Sequence, residues 1–456
     1  MRIKHYTYFL LLAMLIFVPV SCQQNTGEYR AKANNPAFLH RSVKKLTDVI
    51  VYDIFSPPVA SRIYTYASIA AYEALLPNQQ EYKSMVGQLK GLEQMPAVSP
   101  GLEYCFPLAS VKALLTVGRT LTFSEEKIEA FEQEILKEFK DTGMPKEVYK
   151  NSIAYGQQVA EAVLAWAAKD KYKESRGFER YTVTNLPGTW VPTPPDYMDA
   201  IEPHWNSIRT FVLDSCSQFK AQQLPVYSLD STSKFYKELK EVYETTSKLS
   251  EEQKEIANFW DCNPFNIEHT GHFMFGKKKI SPGGHWIGIA ALTCRKAKAD
   301  FLQSAETYAI VSLALADGFI SCWDEKYRSK LIRPETVINQ HLDETWQPML
   351  TTPPFPEYPS GHSVISSAAA VALTDLYGDN FTFVDSTEMD FGLPPREFNS
   401  FIQASEEAAI SRLYGGIHYR SAIEDGIIMG RKVGTHLIQR IETRKKTLTL
   451  DQKVSK

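Results

Sequence analysis

A chain of 456 residues, 44% hydrophobic and 23% charged, is long enough for roughly two to three core-sized units or one large domain of a globular protein. Its net charge of −3 excludes bulk attraction to nucleic acid, so an anion would have to be held by a few local cations.

The chain opens on Arg2, Lys4 and His5, and an apolar run extends from Tyr8 to Val20. That run is shorter than the roughly 20 residues a membrane span needs. Ser21 and Cys22 close it, followed by Gln23 and Gln24. This pattern predicts a secretory signal over 1–21. A small residue before a cysteine resembles a bacterial lipoprotein signal, with Cys22 as the lipidated N-terminus, although Pro19 stands where leucine is expected. The expectation is an exported protein of the periplasm or outer membrane, with a tether over 22–45 and contact with the membrane through lipid alone. No later run reads as apolar enough to cross a bilayer. Cys105, Cys216, Cys262, Cys294 and Cys322 contain no C-x-x-C pair, which argues against a zinc site and leaves at least one free thiol. Buried, inert cysteine is the default reading for most of them.

Helical periodicity dominates the rest of the chain. Ala and aromatic residues recur at helical spacing over 62–76, the stretch 126–140 is amphipathic, and 155–169 places Val159, Val163, Leu164 and Trp166 in a helical pattern. Later helices are predicted over 303–330, 362–377, 398–414 and 423–441, with Gly378 and Gly415-Gly416 as stop signals. Almost nothing alternates with strand periodicity. The stretch 172–205 carries Pro187, Pro192, Pro194, Pro195 and Pro203. Proline blocks helix interiors, and an ordered loop of this length usually covers something or links units. The reading is all-α, two helical bundles over about 46–245 and 250–445, with the chemistry mainly in the second.

Three clusters carry that chemistry. In the first, Lys326 and Arg333 are seven residues apart, two turns on one helical face, where they could aim two cations at one point. Pro334 biases Arg333 out of the helical region, so the helix should end there. In the second, a proline-rich approach runs into Ser360-Gly361-His362 at a helix start. Free backbone N–H groups there favour an anion, Gly361 permits close approach, and Ser360 either donates a hydrogen bond or caps the helix. His362 would stand at the mouth as an acid or base. In the third, Arg412 and His418 flank Gly415-Gly416. On one continuous helix the two side chains would point apart, and a glycine break could bring them to one place. Taken singly, the bland readings are favoured: a solvated basic helix end for the first cluster, a capped helix with a surface histidine for the second, and a helix end with a satisfied histidine for the third.

Together they read K-x6-R-P, then P-S-G-H, then S-R-x5-H. That order resembles the signature of the type 2 phosphatidic acid phosphatase superfamily, which includes the vanadium-dependent haloperoxidases. The run Pro354-Phe355-Pro356-Glu357-Tyr358-Pro359-Ser360-Gly361-His362 and Trp323 resemble the haloperoxidase branch. So do Gly284-His285-Trp286 and the 188–195 segment. The resemblance implies an α-helical fold built on two four-helix bundles. It implies vanadate as cofactor, held by Lys326, Arg333, Ser360, Gly361 and Arg412, with His418 as the vanadium ligand. His362 would be the acid–base group, and Trp323 and Phe355 would stand at the halide position. An acidic residue after an aromatic-Trp pair supports the first histidine in that family, so Asp261, after Phe259-Trp260, is the expected partner of His362. An Asx turn before Pro264 is the bland reading of the same residues.

The chain departs from the pattern at Ala422, where the family often has Asp four residues after the second His. Asp425 lies seven residues on, about 10 Å along a helix, too far to touch His418. Ser421, Glu424 or a backbone carbonyl is expected to orient the ring instead. Two activities are open to one pocket: oxidation of a halide by hydrogen peroxide at vanadate, or hydrolysis of a phosphomonoester through a phosphorylated His418 with no cofactor. A degenerate oxyanion-binding protein is the third reading, supported only by Ala422. In every case the partner is a small molecule, not nucleic acid.

Overall fold

The computed structural model describes residues 26–221, 226–264, 267–270, 273–276 and 278–445, with 26, 267–270 and 273–276 as backbone only. The signal segment over 1–21 and Cys22 lie outside the described residues. Helix makes up 58% of the structure and strand 2%, so the all-α expectation holds.

The first half contains α1 (Thr26–Ala33), α2 (Ala37–Tyr52), α3 (Pro57–Glu73), α4 (Phe106–Leu121), α5 (Glu125–Asp141), α6 (Lys146–Ala167) and the single turn α7 (Tyr172–Ser175). The second half contains α8 (Lys234–Thr246), α9 (Glu251–Phe259), α10 (Pro282–Ala297), α11 (Phe301–Ser329), α12 (Pro334–His341), α13 (Gly361–Tyr377), α14 (Phe401–Tyr414) and α15 (Arg420–Arg440). Two antiparallel hairpins interrupt it: β1 (Ile267–Thr270) with β2 (Phe273–Gly276), and β3 (Phe383–Asp385) with β4 (Arg396–Phe398). Helix α4 packs on α3 and α6, α13 packs on α11, α14 and α15, and α3 packs against α11 to join the two halves. One hydrophobic cluster runs through both.

The sequence-predicted helices appear with shifted ends. Helix α3 begins earlier than its periodicity suggests because Pro57 and Pro58 occupy its first turn, where a missing N–H costs nothing. Every residue of α3 is buried. Two expectations need correction. From Thr26 onward the expected tether is helical: Tyr29, Ala33 and Leu39 are buried, and Leu39, Val43 and Leu46 give α2 an apolar stripe that docks into the core. Helix α11 is long and apolar enough by length and composition to cross a membrane, contrary to the sequence reading, yet its apolar window is wholly buried within the protein. It is a core helix, started by an Asp300–Gln303 capping box.

The proline-rich segment straps the end of α11. The amide of Trp190 donates to the Lys330 carbonyl at 2.7 Å, that of Ile201 to Pro354 O at 3.0 Å, and that of Ile332 to Gly188 O at 3.0 Å. Trp323 Nε1 and the Tyr327 hydroxyl both donate to Ile201 O. It therefore covers the walls of the site.

Candidate active site

Helix α13 starts where the sequence places an anion-binding terminus. Ser360 is its N-cap: Oγ accepts from the Ser363 amide at 3.3 Å, and the Ser360 amide donates to Ala422 O at 3.0 Å. Ala422 thus contributes a carbonyl that fixes the helix start. Gly426, Gly430 and Gly434 form a stripe along α15 that lets it lie on α13. A Cβ at Gly430 would fall 2.1 Å from Val364 O, and one at Gly434 2.8 Å from Ala368 O. The stripe brings His418, just before α15, alongside the start of α13.

The cations arrive by a different route from the expected one. Helix α11 ends at Ser329, and Lys330 turns the chain with φ 52°. Lys326 and Arg333 therefore do not share a helical face: Arg333 is extended, with φ −76° and ψ 150°, and caps α12. Both still reach one place. Lys326 Nζ donates to Pro356 O and Glu357 O at 3.0 Å and to Pro359 O at 2.6 Å. Its ammonium lies 5.0 Å from the Phe355 ring centroid and 5.7 Å from that of Trp323. Arg333 Nε donates to Phe355 O at 3.0 Å and Nη1 to Ile417 O at 2.8 Å, with Nη1 also 3.2 Å from His418 Nε2. Arg412, on the last turn of α14, donates Nη1 to Trp260 O at 2.8 Å. The break after Tyr414, with Gly416 at φ 77°, swings His418 to the same cavity.

That cavity, about 30 Å³, is walled by Trp323, Phe355, Gly361, His362, Arg412 and His418 among others. The volume is that of one or two waters, so it suits a small ion and no bulky group. Among the described residues, the buried nitrogens Arg333 Nη2, Arg412 Nε and His362 Nε2 have no hydrogen-bond partner. Buried donors are rarely left so. Two guanidinium N–H groups and a helix N-terminus beside a histidine fit a small oxyanion.

Glu357 decides the state of His418. Its Oε1 accepts from His418 Nδ1 at 2.7 Å and from the Tyr419 amide at 2.9 Å. Oε1 is thus an acceptor twice over, His418 carries its proton on Nδ1, and Nε2 accepts from Arg333 Nη1 at 3.2 Å on the wall of the cavity. Burial, then the charges of Arg333, Lys326 and Arg412, hold His418 well below the usual histidine range, which keeps it neutral. Burial pushes the Glu357 carboxyl up to about 8, against the pull of Arg333 and Lys326. Burial also draws Lys326 down to about 7 and Arg333 to about 10. The sequence reading passed over Glu357 although it lies inside the Pro354–His362 run. Ser421 and Glu424 do not orient His418: Ser421 bonds Glu238, and Glu424 lies 3.9 Å from Arg420. Asp425 accepts from the Tyr358 hydroxyl at 2.8 Å.

His362 does not pair with Asp261. Its ring bonds the backbone carbonyl of Trp260, which also receives Arg412. Asp261 forms an ion pair with Lys279 and adds its charge to the surroundings of Arg412. Burial, then Arg412 and His285, hold His362 well below its usual range. A backbone acceptor has no signature in side-chain identities, so only the fold could reveal it.

Residues 306–446 match the family model described as the VCPO second helical-bundle domain. The chain is similar to a bacterial vanadium-dependent iodoperoxidase of known structure: 48% identity, TM-score 0.86, covering 91% of this chain and 99% of that one. It shares a fold with bacterial vanadium-dependent chloroperoxidase structures in holo and apo form. These have 16% and 15% identity and TM-scores of 0.62, covering 85% of this chain and 93% and 95% of theirs. No curated protein matches it. Identity at the level of the iodoperoxidase, sustained across almost the whole of both chains, shows that the protein belongs to the vanadium-dependent haloperoxidase family.

Proposed function

We propose that this chain is an exported enzyme that oxidises iodide with hydrogen peroxide, using vanadate held in the cavity beneath Trp323 and Phe355. The observation that carries the reading is the set of unpaired buried nitrogens on Arg333, Arg412 and His362 around the Nε2 of a neutral His418. The 48% identity to an iodoperoxidase supports iodide as the halide. Vanadate, when bound, supplies the Lewis acid that activates peroxide.

The protein supplies the rest. His418 would offer the Nε2 lone pair as ligand once Arg333 Nη1, which bonds it here, turns to the oxyanion, and Glu357, holding Nδ1–H, fixes the tautomer and raises ligand basicity. Arg333 and Arg412 neutralise the oxygens with planar forks, Lys326 adds a point charge, and the Gly361 amide and Ser360 complete the cradle. His362 is neutral at rest, with Nε2 free to take a proton from peroxide and return it as the oxygen–oxygen bond breaks. Halide, peroxide and one proton become hypohalous acid and water. Two electrons leave the halide, and Trp323 and Phe355 give it an apolar wall. Cys22 as a lipidated N-terminus would place the reaction outside the cytoplasm.

The test is to purify the protein free of metal, add vanadate, and follow iodide and bromide oxidation with peroxide, with phosphomonoester hydrolysis in parallel. Iodide oxidation that rises with vanadate to saturation is expected. Its absence at every vanadate level overturns the proposal, and phosphomonoester hydrolysis in its place assigns the pocket to a phosphatase.

A further inference from the structure

A second buried polar centre lies outside the cradle. His285, in the first turn of α10, has Nδ1 3.3 Å from Cys262 Sγ and 3.0 Å from Glu388 Oε1, and that carboxylate oxygen is 3.7 Å from the same sulfur. All three residues are buried. The opposite nitrogen, Nε2, lies 2.7 Å from Asp385 Oδ2. Asp385 is itself fixed, because Oδ1 accepts from both the amide and the hydroxyl of Thr387.

We infer that Cys262, His285 and Glu388 form a binding site for a divalent cation of the zinc class, separate from the vanadate cradle. Three lines carry it. The donors are a cysteine sulfur, which would bind as its thiolate, an imidazole and a carboxylate, the set that a borderline-soft cation takes. Bonds of about 2.0–2.3 Å in a tetrahedron set donor-to-donor edges of roughly 3.3–3.7 Å, and the observed edges run from 3.0 to 3.7 Å. Finally, a metal-bound histidine characteristically gives its other ring N–H to a carboxylate, as His285 does to Asp385.

The site has a neighbour and a consequence. Cys262 also lines the cavity beside His362 and His418, so the cation would sit next to that cavity. The three donors come from the loop after α9, the start of α10 and the 3-10 turn Thr387–Phe391, so the cation would tie together segments 126 residues apart. Trp260 stacks on His285 with ring centroids 4.5 Å apart and planes at 16°, and its carbonyl holds Arg412 and His362. The cation would thereby steady two cradle residues that it does not touch. The missing C-x-x-C pair argued against zinc from sequence. A site assembled from one donor per segment has no short-range spacing to find.

The experiment measures metal in the intact mature chain. Zinc content is determined by mass spectrometry after purification, after chelation, and after adding zinc chloride back. One zinc per chain is expected, with a melting temperature that falls on chelation and recovers with zinc. Cys262→Ser and Glu388→Gln should lose the bound zinc, whereas Arg412→Lys, in the cradle, should keep it. Cobalt loaded in place of zinc should give a thiolate-to-metal absorption band in the wild type that Cys262→Ser lacks. This readout stands even where a variant is less stable. Wild-type protein that takes up no zinc or cobalt overturns the inference, and so does zinc retained by both ligand variants. Neither measurement depends on haloperoxidase turnover.

Discussion

The proposed vanadate cradle and the His285 centre are both buried and charged, and they meet at Trp260, yet they are built oppositely. The cradle gathers Lys326, Arg333 and Arg412, with Glu357 as the carboxyl on His418, and it leaves donors unpaired. The His285 centre gathers Asp385, Glu388 and a thiol around one imidazole. An excess of buried donors suits an anion, and an excess of buried acceptors suits a cation. The surroundings also divide the histidines. Neighbouring cations help hold His418 and His362 well below their ordinary range. At His285, Asp385 and Cys262 overcome the burial that works against them and raise it well above. The lesson is that, at equal burial, the sign of the partners decides which way a buried histidine shifts.

The largest expected effect breaks the cradle side. His418→Ala should abolish vanadate-dependent iodide oxidation, measured as triiodide formation at saturating vanadate. Activity retained in that variant would mean the pocket is misread. Next comes Glu357→Ala, which leaves His418 Nδ1–H and the Tyr419 amide without their acceptor. Vanadate affinity should fall about 10- to 100-fold, with Glu357→Gln between it and wild type because the amide oxygen can still accept. Equal affinity in all three would remove Glu357 from the account.

Lys326 gives a pH test. With its ammonium drawn down to about 7 by burial, the charge is present below that pH and is lost as pH rises through it. Vanadate affinity should therefore weaken above about pH 7, by at most tenfold per pH unit. Lys326→Gln should flatten the Lys326 part of that slope, read as the difference between the two titration curves. Gly430→Ala tests the packing that positions both histidine-bearing segments. A Cβ 2.1 Å from Val364 O should cost on the order of 1–3 kcal/mol, seen as a lower melting temperature. The smallest effect should come from Asp425→Asn. Asp425 holds Tyr358 and not His418, so turnover should change less than threefold, roughly the loss of one ordinary hydrogen bond or less.

Much of the proposed cradle is legible because its chemistry-bearing side chains stand at fixed spacing in three short clusters. Lys326, Arg333, Gly361, His362, Arg412 and His418 are all found about one place, and Trp323 and Phe355 wall it. The long helices were legible because a buried face leaves a 3.6-residue pattern, as in α5, α11 and α13. Other elements were missed: α2 begins inside the expected tether, and α10 starts within a segment noted only for its resemblance. Asp261, the expected partner of His362, pairs with Lys279 instead, and the Trp260 backbone takes its place.

The sequence by itself determined which chemistry-bearing groups exist and in what order, and it marked the helix start at Pro334 and the helix ends at Gly378 and Gly415-Gly416. Only the tertiary structure decided what faces what. The turn at Lys330, the glycine stripe of α15 against α13, and the carbonyls of Trp260, Ala422 and Ile417 fix the cradle through backbone. Backbone groups are the same at every residue, so their partners depend on chain path and not on residue identity. The same holds for Cys262, His285 and Glu388, which are far apart in the chain and become a cluster only when α10 and the β3–β4 segment are packed together.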